Sequence, residues 1–401
     1  MKLKYLIPAL APMLFAACTV DDEVLVDGTN GKIEFAPELE LASRANPISN
    51  ESTTGNLTEF TVAAYSKDKK INFFEKVKVK KQSDGTWKTE GGDYYWGNYN
   101  LTFKAYATNR GSALITKNGK DIFNDYFPIT TEGKKVSDAD VKVGWADAPG
   151  KITNVIIPTT TTQMYDLLVA TNWNVATGTT KIPIHFEHAF SVVELYVRGD
   201  NPANWYKVEE FLIGNIYNQG DLTFPQNTTV INGTPKTQLT VNSWSIPASA
   251  TKVNWWGPDV NFDFRGDKTT KESVMAGVSE LFIMPQNITP WDPVKEPKIS
   301  EAKGSFIGIK MGIKQLQDGS IANPVKADFT NQIWPETAGT TAKFLYAPLK
   351  IAKFEPNKKY IIIANITGGG YDDTGKEKGF KMTFTVTVSD LGTGTTNTIT
   401  F

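Results

Sequence analysis

The chain has 401 residues, a formal net charge of −1 and one cysteine, Cys18. Near-neutral charge argues against a nucleic-acid partner, which needs a basic face, and a single cysteine excludes an intramolecular disulfide. With 40% hydrophobic and 21% charged residues the composition is that of a folded soluble protein, long enough for two or three domains.

Taken in chain order, Lys2 and Lys4 precede the apolar stretch "YLIPALAPMLFAA". It is too short for a permanent span and fits a secretory signal over residues 1–17. Leu14-Phe15-Ala16-Ala17-Cys18 resembles a bacterial lipoprotein lipobox, with Phe15 where an aliphatic residue is usual. The resemblance implies cleavage before Cys18, acylation of its thiol and new amine, and attachment to the outer membrane through lipid. Thr19-Val20-Asp21-Asp22-Glu23 resembles the surface-export signal of Bacteroidetes lipoproteins, and residues 18–31 read as an acidic, flexible tether.

The stretch "KIEFAPELELASRANP" over 32–47 alternates. Ile33, Phe35, Pro37, Leu39 and Leu41 fall on one face, and Glu34, Ala36, Glu38 and Glu40 on the other, the pattern of a half-buried strand. It stops at Arg44, which sits among the small residues Ala42, Ser43, Ala45 and Asn46.

From there the chain reads as β throughout. Alternating runs such as "FTVAAYS" (60–66), "NLTFKAYA" (100–107), "KIPIHFEHAF" (181–190), "KKYIIIANIT" (358–367) and "KMTFTVTVS" (381–389) are separated by Gly, Asn, Asp and Pro. "KVKVKK" (76–81) reads as the solvated face of a strand. Many short strands and no long helical periodicity predict β-sandwiches or barrels. The polar stretch "TNWNVATGTTK" (171–181) is the expected boundary, dividing the mature chain at 178/179 into units 32–178 and 179–401. "GGGYDDTGKEKG" (368–379) lacks the spacing of a calcium loop and reads as a hairpin connection.

Material for catalysis is sparse. The two histidines, His185 and His188, lie three apart in a strand pattern and so point to opposite faces, which does not suit a metal site. No G-x-S-x-G, phosphate loop or complete G-x-G-x-x-G occurs. Paired carboxylates for glycoside hydrolysis need no local motif, so a secreted hydrolase stays open as a third reading. We read the chain as a non-enzyme without cofactor or metal. Ten tryptophans, with Trp255 and Trp256 beside Pro258, offer a possible stacking platform for a sugar.

The order of segments resembles the Bacteroidales fimbrillin (type V pilin, Mfa-like and FimA-like) superfamily. "TWKTEGGDYYWGNYNLTFKAYA" (86–107), "YDLLVA" (165–170) with "IPIHFEHAFSVVELYV" (182–197), "LFIMPQNIT" (281–289) and "FEPNKKYIIIANITGGGYDDTG" (354–375) are similar to family segments in the same order. Together with the lipoprotein start and the Ser43-Arg44-Ala45 junction they span nearly the whole mature chain. The chain departs at its C-terminal end, where Leu391 stands in place of a family tryptophan.

The resemblance implies an all-β protein of two tandem β-sandwiches, transthyretin-like or Greek-key, with few short helices. It implies a subunit of a cell-surface fimbrium, structural or adhesive, cut between Arg44 and Ala45 by an arginine- or trypsin-like protease. The cut would remove the strand 32–43, with Ile33, Phe35, Leu39 and Leu41. A C-terminal strand of the next subunit would fill the groove. Candidate donor residues in 380–401 are Met382, Phe384, Val386, Val388, Ile399 and Phe401. Implied partners are other fimbrial subunits, the protease, the outer membrane and surface ligands on host or bacterial cells. The alternative reading is a surface glycan-binding lipoprotein of a nutrient-uptake system, with Trp255 and Trp256 as its contact.

Overall fold

A computed structural model describes residues 31–39, 57–66, 68–69, 71–108, 116–117, 120–121, 151–159, 164–224, 228–231, 234–256, 260–275, 281–319, 321–337, 339–368, 374, 381–390 and 396–400. The signal, residues 18–30 of the tether with Cys18, and Leu41, Arg44, Ala45 and Phe401 lie outside them.

Alternation in the sequence becomes strand after strand. The first group is β1 (Phe35–Leu39), β2 (Glu59–Ser66), β3 (Ile71–Lys81), β4 (Trp87–Thr89), β5 (Leu101–Thr108), β6 (Thr116–Lys117), β7 (Lys120–Asp121), β8 (Lys151–Ile156), β9 (Leu167–Val175) and β10 (Ile182–His188). Next come β11 (Ser191–Gly199), β12 (Asn204–Tyr217), β13 (Gln219–Thr223), β14 (Thr228–Ile231), β15 (Thr234–Thr237), β16 (Trp244–Ser245), β17 (Lys252–Trp256), β18 (Phe262–Arg265), β19 (Glu272–Ser273), β20 (Leu281–Ile283) and β21 (Gln286–Asn287). The last are β22 (Phe306–Leu316), β23 (Phe329–Trp334), β24 (Lys343–Pro348), β25 (Lys353–Phe354), β26 (Lys358–Gly368), β27 (Lys381–Asp390) and β28 (Thr396–Thr400). The helical elements among the described residues are three-residue 3-10 turns such as Val241–Ser243. The all-β architecture, with sheets packed as sandwiches, is as expected from the turn-punctuated alternation.

The strands surround two main cores. One sheet of seven runs in the order β1-β10-β9-β5-β2-β3-β4. Its inner face buries Phe60, Val62, Val77, Val79, Trp96, Leu101, Phe103, Leu168, Ile182, Ile184 and Phe186. In "KVKVKK", Val77 and Val79 are buried while Lys78 is exposed. The second core lies between a sheet β19-β11-β26-β27-β28 and a sheet β17-β12-β22-β23. Its ladders are long: β12 pairs with β22 from Asn204 to Gly214, and β26 with β27 from Lys358 to Gly368. The connection between β26 and β27 is thus a hairpin, as expected for 368–379.

Close contacts in the second half depend on glycine. A Cβ on Gly308 would meet the Tyr346 ring at 2.8 Å and Leu212 Cγ at 3.0 Å, and Gly308 sits directly across the ladder from Tyr346. The missing side chain gives the ring its seat against the sheet.

The expected boundary at 178/179 is corrected. β9 and β10 are antiparallel neighbours in one sheet, so 176–181 is a hairpin connection within the first core. Its polar residues serve the turn: the Thr177 hydroxyl donates to the Gly97 carbonyl at 2.6 Å, and the Trp96 indole N–H donates to the Thr179 carbonyl at 3.0 Å. The chain passes to the second core after His188, because Ala189 and Phe190 are buried there. Residues 151–157, expected in the first unit, also belong to the second: β8 pairs with β13, and Ile152, Val155 and Ile157 join its core.

Candidate functional site

The strand read from "KIEFAPELEL" forms where the alternation places it, and its setting is unusual. β1 is an edge strand, paired in parallel with β10 in the register Phe35↔Ile182, Pro37↔Ile184, Leu39↔Phe186. The Ile182 amide donates to the Glu34 carbonyl at 2.8 Å. Just upstream the same segment pairs in the other direction: Lys32 bridges Tyr95 antiparallel. There the Ile33 amide donates to the Tyr94 carbonyl at 2.8 Å and the Trp96 amide to the Gly31 carbonyl at 3.0 Å. Residues 31–39 therefore join β10 at one end of the sheet to the stretch following β4 at the other. They act as a seam around the first core.

The side chains follow the predicted faces. Ile33 and Phe35 are 2% and 5% exposed, Pro37 is buried, and Glu34 and Glu38 are exposed. The Phe35 ring meets Phe60 and Phe103 edge-on, each at 5.8 Å between centroids. Burying Ile33 and Phe35 is worth about 3–6 kcal/mol before entropy costs. Leu39 is in β1 at the backbone level. One ion pair and one carboxylate–imidazole contact fix the outer side. Lys32 Nζ lies 2.7 Å from Asp93, which holds the lysine ammonium above its usual range. Glu38 lies 3.0 Å from His185 Nδ1 across the β1–β10 pair.

Local sequence reasoning missed three of these features: the pairing with 94–96, the Lys32–Asp93 contact and the Glu38–His185 contact. All are non-local. A partial signal existed in Glu38, which falls on the wet face and so had to point where a partner could reach it.

The two histidines do take opposite faces of β10. His188 is buried with Asp166, Nδ1 to Oδ2 2.7 Å, both at most 1% exposed. Among the described residues no group of three His, Cys, Asp or Glu is placed to hold a metal.

At the other end of the chain, β27 is hydrogen-bonded on both sides, to β26 and to β28. Met382 and Val386 are buried in the second core, and Val388 packs against it. Four of the candidate donor residues, Met382, Phe384, Val386 and Val388, thus lie in an interior strand. Among the described strands β28, carrying Ile399, pairs with β27 and forms the sheet edge. Trp255 and Trp256 lie on β17, opposite Ile213 and Leu212 of β12. The structure brings neither tryptophan together with the first core's seam.

No protein-family model matches the sequence, and no curated protein aligns with it. Solved structures do align over most of the chain. A candidate cell adhesion protein from Bacteroides uniformis is 10% identical, covers 90% of this chain and 99% of its own, with a TM-score of 0.42. One from Bacteroides ovatus is 12% identical and covers 90% and 97%, with a TM-score of 0.39. The fimbrial anchor protein Mfa2 from Porphyromonas gingivalis is 10% identical and covers 90% and 98%, with a TM-score of 0.28. These scores are too low to transfer a function, so the functional reading rests on the chain's own strands.

Proposed function

We propose that the protein is a structural or adhesive subunit of a cell-surface fimbrium. In this reading it is exported as a lipoprotein through Cys18, cut after Arg44, and assembled by strand exchange. The single observation that supports it most is the seam: the segment 31–39 holds the first core closed and lies only a few residues before a lone arginine among small residues. Cutting there would detach β1 while leaving every other described strand in one piece.

Loss of β1 would leave unpaired N–H and C=O groups along β10 and 94–96, and the rings of Phe60 and Phe103 without cover. An exposed sheet edge over an apolar trough is a template for another chain's strand, which satisfies backbone and side chains at once. While β1 is in place the template is occupied, so the subunit is stored in a form that does not assemble. The fimbrillin resemblance of the sequence segments points the same way. No catalytic group, metal or cofactor has a part in this reading.

The test is limited trypsin treatment of the purified chain, followed by N-terminal sequencing and light scattering. Cleavage after Arg44, release of the 31–39 segment and appearance of oligomers are expected. A chain that loses everything up to Arg44 and stays monomeric at high concentration would refute assembly by strand exchange.

A further inference from the structure

We infer that the turn at 265–267 is a recognition site for a cell-surface receptor. The receptor's face would offer a bound divalent cation to the Asp267 carboxylate and an acidic pocket to the Arg265 guanidinium. The inference rests on the adhesive side of the reading above and adds the site and the chemistry of its partner. It needs no strand exchange.

The sequence supplies the first observation. Of the 42 basic residues only four are arginine: Arg44, Arg110, Arg198 and Arg265. Two of these four open an Arg-Gly-Asp tripeptide, at 198–200 and 265–267, whereas no lysine is followed by Gly-Asp. The fold then brings the two tripeptides together. Residues 200–203 carry the chain from β11 to β12, and 266–271 carry it from β18 to β19, so both cross between the same two sheets. The amides of Asp267 and Lys268 donate to the Gly199 carbonyl at 3.0 and 3.3 Å, and the Gly266 amide donates to the Asn204 carbonyl at 3.1 Å.

The two differ in what they leave accessible. In 198–200 the charges answer each other: Arg198 Nε lies 3.2 Å from Asp200 Oδ1, and neither side chain is more than 30% exposed. In 265–267 Arg265 and Asp267 are exposed on either side of a buried Gly266, and neither forms an ion pair among the described residues.

Packing accounts for the glycine, since a Cβ on Gly266 would lie 2.4 Å from the Asn201 carbonyl oxygen and 2.8 Å from that of Gly199. It does not ask for an arginine. Arg265 Nε donates to the Pro202 carbonyl at 2.9 Å, a bond that a lysine could also make. What arginine alone adds is the planar fork of its terminal nitrogens, which matches a carboxylate. Asp267 is held from its other side. Its Oδ1 accepts the amides of Thr269 and Thr270 at 2.8 and 2.6 Å, and its Oδ2 accepts the Thr270 hydroxyl. These bonds keep the carboxylate ionised. They leave one acceptor position of about four, on Oδ2, for a hard cation that takes its remaining ligands elsewhere. Each charge is thus anchored at its base and open at its tip, which lowers the ordering cost of binding.

Retention on a surface tests this. The probe is a purified integrin ectodomain, selected for binding to an immobilised Gly-Arg-Gly-Asp-Ser peptide in Mn2+. The uncut chain is immobilised, so assembly has no part in the readout. Retention in Mn2+, its loss in EDTA and competition by the free peptide are expected. Asp267→Asn keeps an acceptor for the Thr269 and Thr270 amides without the charge, and should lose at least tenfold in affinity. Arg265→Lys keeps the charge on an exposed side chain and should lose at least fivefold. Asp200→Asn should change affinity less than twofold. All three should keep the parent's thermal midpoint.

Failure of the parent chain to retain the ectodomain would overturn the inference and leave assembly by strand exchange standing. Retention that survives EDTA would overturn the cation as the partner of Asp267. A larger loss in Asp200→Asn than in Asp267→Asn would overturn the choice of turn. Undiminished retention in both Asp267→Asn and Arg265→Lys would overturn the site.

Discussion

The two cores are closed in different ways. The second is held by ladders of ten or so residue pairs between long strands, with hairpins such as β26–β27 keeping the chain contiguous. The first is closed by nine residues, 31–39, that pair with β10 on one side and with 94–96 on the other. Breaking the second core demands cooperative loss of many bonds. Under the proposed function, opening the first takes one cut and the departure of one short strand. Stability concentrated in one place and openness in another is how a protein can be both durable and convertible.

That contrast predicts a ranked set of effects. The largest should come from the second core. Phe211 is fully buried on β12, and Phe211→Ala should cost about 3–5 kcal/mol, read as a lower urea midpoint for the whole transition. Next, Phe35→Ala should cost about 2–4 kcal/mol but locally. Amide exchange should speed up at 182–186 and 94–96, with the 306–316 strand unchanged. Equal acceleration in both places would mean the cores are one cooperative unit and would end the contrast.

A smaller effect is expected from Gly308→Val, which pushes a side chain into the Tyr346 ring. Overpacking of this kind costs about 1–3 kcal/mol and should lower the thermal midpoint without altering trypsin release of the 31–39 segment. The smallest effect is electrostatic. The Asp267 carboxylate is held at about 2 by the Thr270 hydroxyl first, then by the amides of Thr270 and Thr269. Since this lies below the ordinary 3.8, the ionised form favours the folded state. That contribution is complete above the ordinary value and fades as pH falls toward 2. Carboxyl titration by NMR should show the depressed midpoint, and Thr270→Val should move it upward.

Much of the fold was legible because β patterning is local. The faces of 33–37 and the burial of Val77 and Val79 beside an exposed Lys78 follow from period two alone. The hairpin between β26 and β27 was readable from glycine between two alternating runs. What escaped was allegiance. The 171–181 stretch looked like a linker because it is polar, but polarity marks a tight hairpin as readily as a boundary. Nothing in the residues of β8 says that it pairs with β13 across the expected divide. The candidate site divides the same way. The apolar residues of β1 were visible in its alternation, whereas the two-sided pairing of 31–39 depends on Tyr94, Tyr95 and Trp96, which show no strand pattern. Among the donor candidates, alternation favoured β27 as much as β28, and only the topology separates an interior strand from an edge.

The parallel pairing of β1 with β10 has a further consequence, for the order in which the protein becomes itself. Phe35 and Ile182 are about 150 residues apart, and a contact of such sequence separation is slow to form because a long loop must close first. A chain delivered from its N-terminal end, as in synthesis, presents the seam before β2 and the strand that receives it much later. The Phe35–Leu39 part of the seam must therefore wait for its β10 partner while the strands from β2 to β9 are delivered. The first core becomes whole only after β10 has emerged. Among the described strands the first out is thus seated only once β10 arrives, and the same strand is the one the proposed cut removes.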